Sequence, residues 1–188
     1  MSGVINLSTF KNRQASLRIE KIQGGDLTEL LKTATDLRNC IEKFKKTIEV
    51  MDFKGLKRVF ETRLANIILE TKKIELDLFL CSSYIAALLV EIGSSVPESW
   101  FAVDYFIKAE AENKPEALKQ GANVCFLIYA VFPPRGQIRC MKLEDYKALG
   151  QAMYYGYYGQ TGTLVAYFMS QQFKPMAEIT RECLRGFK

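Results

Sequence analysis

The stretch that decides the fold is residues 26–51, DLTELLKTATDLRNCIEKFKKTIEVM. It opens on Asp26-Leu27-Thr28-Glu29, the D-x-x-E form of a capping box. In such a box the Asp26 carboxylate accepts from exposed backbone N–H groups and Glu29 reaches back to the cap. Behind it Leu27, Leu30, Ala34, Leu37, Ile41, Phe44, Ile48 and Met51 recur at alternating spacings of three and four. That period of about 3.5 puts every apolar side chain on one stripe of a helix, as in coiled-coil packing. The seam predicts a contact with another helix of this chain or with a second copy, carried by Leu30, Leu37, Ile41, Phe44 and Ile48.

Working outward, Asp52–Gly55 interrupts the seam, and Phe53, Leu56, Phe60, Leu64, Ile67, Thr71 and Ile74 resume it. Leu78, Cys81, Ile85, Leu88 and Ile92 extend the same spacing. A single helix from 53 to 92 would be about 60 Å long, too long for a chain of this size, so a break is expected near Glu70–Lys73, where the sequence turns polar. Residues 26–51 and 53–72 then form a helical hairpin, and 74–92 opens the core. Gly93 is expected to end that helix. Ser95-Val96-Pro97-Glu98 and Asn113-Lys114-Pro115-Glu116 each read as an N-terminal cap with proline in the first turn. The first heads a helix carrying Trp100, Phe101, Tyr105 and Ile107. The second heads one running to Phe132, where Pro133-Pro134 halts it. Arg135–Lys142 reads as a basic loop, Leu143–Tyr158 as a helix, Thr161–Phe173 as its resumption after Gly159–Gly162, and Pro175–Leu184 as the last helix. The expectation is an all-α, single-domain bundle of about seven helices over residues 26–188, preceded by a short arm, residues 1–25.

The chain has 188 residues, 48% hydrophobic and 25% charged, the balance of a soluble globular protein. Its net charge of +5 is concentrated in residues 1–73. A basic half of this kind suits nucleic acid, an anionic membrane or an acidic partner, and Lys43, Lys45, Lys46, Lys54, Lys57 and Arg58 are the side chains that would carry nucleic-acid binding. Solvated faces of amphipathic helices account for the same lysines, since acids are interspersed among them. Two apolar runs, 78–90 and 121–134, each have about a dozen apolar positions, against about 20 for a spanning helix. They predict helices buried on nearly all sides rather than membrane spans. The N-terminus lacks the apolar core of a signal peptide. Cys40, Cys81, Cys125, Cys140 and Cys183 are odd in number and form no CxxC, which points to buried thiols in a reducing, cytoplasmic setting.

The absence of histidine excludes Ser-His-Asp and Cys-His nucleophilic pairs, HExxH zinc sites and histidine-ligated haem. Glu70, Glu75, Asp77, Glu91 and Asp104 are the acids nearest the apolar helices, but they lack the paired helical spacing of a carboxylate metal site. No catalytic residue, metal or cofactor is expected. One unusual stretch remains: residues 150–162, GQAMYYGYYGQTG, with four tyrosines and four glycines. A phosphate loop needs GxxxxGK[ST] after a strand. Gly156 and Gly162 lie six apart with Thr163 after them, but where the lysine belongs there is nothing basic. The reading is instead a helix contact, with Ala148, Ala152, Gly156 and Gly159 as a small-residue stripe. Tyr154, Tyr155, Tyr157 and Tyr158 ring the helix and form a candidate binding surface. Arg135 and Arg139 lie close by in sequence and suit an anionic or stacking partner.

Residues 121–176, with the run GANVCFLIYAVFP, a short basic stretch, DYKALGQAMYY and a closing FKPM, resemble a group of uncharacterised bacterial helical proteins. The matching positions are Gly121, Phe132, Pro133, Tyr146, Gly150 and Tyr154 or Tyr155, and the chain departs at Pro134 and at GYYGQTG. The resemblance implies a bacterial, cytoplasmic, helical protein and names no substrate or cofactor. Three functions follow as expectations. The first is an interaction or scaffold protein binding a protein partner or itself. The second is a bundle enclosing a small apolar ligand, and the third is nucleic-acid binding through the basic half.

Overall fold

The computed structural model describes residues 53–71, 75–95, 97–132 and 141–185. These residues are all-α and contain no strand. Seven helices lie among them: α1 (Phe53–Glu70), α2 (Leu76–Ser94), α3 (Ala102–Glu112), α4 (Pro115–Ala130), α5 (Leu143–Thr161), α6 (Leu164–Gln171) and α7 (Phe173–Arg185). The arm, the 26–51 seam and the basic loop that holds Arg135 and Arg139 lie outside the described residues.

α1 buries Leu56, Phe60, Leu64 and Ile68. Ile68 replaces the expected Ile67, which is only partly buried, and Thr71 is exposed. The stripe therefore steps by four throughout. That is the i, i+4 ridge of globular helix packing, not a strict coiled-coil seam. It meets α2 on one side and α7 on the other. The predicted break between α1 and α2 falls where expected, with Glu70 the last residue of one helix and Glu75 at the N-cap position of the next.

α2 buries Leu78, Cys81, Ile85, Leu88 and Ile92, as their spacing predicts. It is not buried on all sides, however: Leu76, Leu80, Ser83 and Ala87 are exposed. Its 18-residue span Leu76–Gly93 has a mean hydropathy of 1.7, long and apolar enough by length and composition to cross a membrane. Core helices of soluble proteins pass the same test, and 44% of this span is buried within the bundle. α4 does run through the centre, with every residue from Val124 to Ala130 buried. It packs most extensively on α5 and also carries α3.

Two predicted caps sit elsewhere. Ser95 does not start α3; its N–H donates to the Glu91 carbonyl at 2.8 Å and so ends α2. α3 begins only at Ala102: the chain bends at Glu98 and Trp100, Phe101 holds the N-cap position with no side-chain cap bond, and Ser99 braces this turn. Its hydroxyl accepts from the Phe101 N–H at 3.0 Å and donates to the Asp104 carboxylate at 2.6 Å. Asn113 likewise closes α3 in the left-handed conformation, φ 50°, instead of opening α4. Pro115 occupies the first turn of α4 as predicted. α5 runs through Gly159 without a break and stops at Gly162, whose φ of 70° is cheap only for glycine.

Candidate functional site

α5 starts where Asp145 accepts from the Lys142 N–H at 3.0 Å, so its helical phase is fixed upstream of the tyrosines. That phase sends them to opposite faces. Tyr154, 1% exposed, points into the core, and its hydroxyl donates to Asn123 Oδ1 on α4 at 2.7 Å. Tyr84 of α2 donates to the same oxygen at 2.6 Å. One amide oxygen has two lone pairs, so two phenols saturate it. Burial pushes both hydroxyls well above the ordinary tyrosine range, which keeps them neutral donors. Tyr157, 7% exposed, donates to Glu116 at 2.8 Å, with the Lys119 ammonium 5.9 Å from its ring centre. These two tyrosines hold α5 to α4.

Tyr155 and Tyr158 face outward. Tyr155 is 54% exposed. Its ring lies 6.3 Å from that of Tyr158, which lies 5.2 Å from Tyr167 of α6, itself 5.8 Å from Phe168. Four rings thus form a continuous row across α5 and α6, with the exposed side chain of Leu164 on the same short helix. Tyr158 and Phe168 also rest on the core, so the row has a fixed base. Sequence reasoning found Tyr155 and Tyr158 but missed Tyr167, Phe168 and Leu164. A signal was present: from Ala148 to Phe173 the chain carries no charged residue, in a protein that is 25% charged.

The glycines that bring helices close are not the predicted stripe. A Cβ on Gly150 would lie 2.6 Å from the Phe173 ring and 2.8 Å from Cys125 Cβ; on Gly121 it would lie 2.9 Å from Tyr105 Cβ. Gly156 has only Leu118 at 3.4 Å, and Gly159 has nothing within 4 Å. The phosphate-loop reading has no backbone to support it either, since Gly156–Thr161 is helical.

Elsewhere the titratable groups are scattered. Among the described residues no three Cys, Asp or Glu side chains converge where a metal could bind. Glu75 and Asp77 both accept from the Gln172 amide, at 3.2 and 2.7 Å, and Asp104 accepts from Ser99. Lys57, one of the basic side chains, lies 3.5 Å from Glu61. Burial pushes the Cys81 thiol up to about 12, reinforced by Asp77, and raises Cys125 and Cys183 as well. Such thiols are inert as nucleophiles. A cavity of about 250 Å³ opens between the end of α2, α3 and α4, floored by Leu88, Ile92, Val124 and Leu127 and rimmed by Glu91, Glu98 and Gln120. Compared with known protein families, curated proteins and solved structures, the chain matches none.

Proposed function

We propose that this chain is a non-catalytic helical interaction protein that binds a protein partner through the aromatic row of α5 and α6. The observation that carries this reading is the join of Tyr155 and Tyr158 to Tyr167 and Phe168 within a segment, 148–173, that holds no charged residue. Interface centres are depleted in charge and enriched in tyrosine and phenylalanine. Tyrosine offers a large, rigid contact at low entropic cost, and these rings are already held by their neighbours. The complementary partner surface is apolar with hydrogen-bonding groups. A charge brought against this face would lose hydration and gain no counter-ion.

The test places a photo-crosslinking amino acid at Tyr155, identifies the adduct by mass spectrometry, and measures its affinity for the purified chain. The reading expects one discrete partner whose binding weakens at least tenfold in Tyr155→Ser/Tyr167→Ser. Binding should be unchanged in Ile107→Ser, an exposed apolar control on α3. No adduct, or an affinity indifferent to the double substitution, overturns it. A second reading, a small ligand, rests on the cavity beside Asn123. Its volume falls below the roughly 300–1,000 Å³ of ordinary ligand sites and its rim is polar, so it gives less support. Native mass spectrometry of the purified chain checks it, and a bare mass argues against it.

A further inference from the structure

The cavity between α2, α3 and α4 joins an apolar floor to donors that the fold leaves unspent. Leu88 and Ile92 of α2 and Val124 and Leu127 of α4 form the floor, and all four are buried. Asn123 of α4 and Tyr105 of α3 line the same cavity. The Asn123 oxygen is saturated by the Tyr84 and Tyr154 phenols, which leaves its NH2 group, and no described residue supplies an acceptor for it. Asn123 is only half-buried, so that group is open to what enters the cavity. Tyr105, 3% exposed, accepts from the Ser99 N–H at 3.0 Å, and its own proton likewise has no described acceptor. We infer that this cavity binds a small neutral molecule with an apolar body and a carbonyl oxygen, the carbonyl accepting from the Asn123 amide. Such binding rests on the small-ligand reading of this cavity and is independent of the aromatic row.

Size, polarity and charge choose this class. The volume is about 250 Å³, and a cavity of about 150 Å³ already holds benzene, so there is room for one ring with a short substituent. Four buried aliphatic side chains favour an apolar body, which leaves water on entering. The polar end is set by what Asn123 has left. An amide whose oxygen is engaged can only donate, so the ligand must bring an acceptor. A ligand without one leaves that donor desolvated and unpaired, which is costly. The charged side chains of the lining are Glu91 and Glu98, the second held by Lys108 at 3.0 Å, and no basic side chain lines the cavity. A carboxylate entering there would lose hydration beside two acids, so a neutral carbonyl is preferred to an anionic one. An ammonium group would suit the acids but leave the Asn123 donors unpaired.

The test titrates the full chain with benzamide, benzoate and toluene, followed by NMR of the leucine and valine methyl groups. Benzamide should saturate, shift the Leu88, Val124 and Leu127 methyls, and bind at least about tenfold tighter than either other probe. Asn123→Asp keeps an oxygen for both phenols and removes the donors. It should weaken benzamide at least about tenfold while circular dichroism shows the bundle intact. Ile107→Ser, at an exposed position of α3, should leave the affinity unchanged. If Asn123→Asp does not fold, the probe series on the unaltered chain decides. Benzoate or toluene matching benzamide overturns the carbonyl assignment while leaving a ligand site in place. Saturation by no probe, or shifts confined to residues elsewhere, overturns the small-ligand reading together with it.

Discussion

At Gly150 the space for a side chain is already taken by the Phe173 ring and by Cys125 Cβ. Phe173 is itself fixed, with Phe126, Tyr129 and Tyr154 rings around it at 5.3 to 6.3 Å. Gly150→Ala is therefore expected to cost about 1–3 kcal/mol as an overpacked core, measured by denaturant unfolding. Gly159→Ala meets nothing within 4 Å and removes a flexible residue from a helix, so it should gain up to about 1 kcal/mol. Two glycines nine residues apart in one helix thus have opposite signs. Buried acids that stay neutral make a second prediction. The thiols of Cys81 and Cys125 and the phenols of Tyr84 and Tyr154 are all raised by burial. Their protonated forms are favoured in the folded chain, so this stability is fully present only below the unfolded thiol value of about 8.5. It falls as pH rises, by about 1.4 kcal/mol per group per unit once the unfolded group titrates. Unfolding followed from pH 8 to 11 should show stability flat at first and then dropping, with the phenolate absorbance of Tyr84 and Tyr154 appearing only on unfolding.

The helices divide into those whose ends were written locally and those whose ends were not. Pro115 at the start of α4 and the Glu70–Glu75 break are local, and both fall where the sequence puts them. Ser95 does not cap α3 because α2 holds it: the Glu91 carbonyl accepts from the Ser95 N–H, and Phe101 takes the N-cap position instead. Ser99→Ala removes the bonds to Phe101 and Asp104 and is expected to lower stability by about 1 kcal/mol, measured by thermal unfolding. Ser95→Ala should change it by less. Ile68 displacing Ile67 has the same origin. Both are isoleucines, and which one is buried depends on where α2 and α7 lie, not on α1 itself.

Across the whole molecule, the described residues pack as one all-α bundle around α4, and the cysteines report on its closure. Cys81, Cys125 and Cys183 are free and buried, so native protein should leave all three unmodified by maleimide while denatured protein labels them fully. Mass spectrometry reads this directly, and labelling of any of them under native conditions would mean an open core. The surface of the same bundle carries the aromatic row on α5 and α6. That row is the surface proposed above for a protein partner.

The candidate site was half legible. Four adjacent tyrosines announced a surface of some kind, but a helix turning 100° per residue sends Tyr154 and Tyr157 inward while Tyr155 and Tyr158 stay out. No count of tyrosines says where the inward direction lies. Tyr167 and Phe168 join the row only because Gly162 turns the chain and lays α6 beside α5. What the residues alone determined is what local chemistry controls: helical period, the absence of histidine, proline at a helix start, and apolar runs long enough for a core. What tertiary structure decided is which of two equivalent stripes is buried, which of two caps is used, and which glycine is crowded. Each of those depends on a neighbour many residues away, whose distance from the site the sequence does not contain.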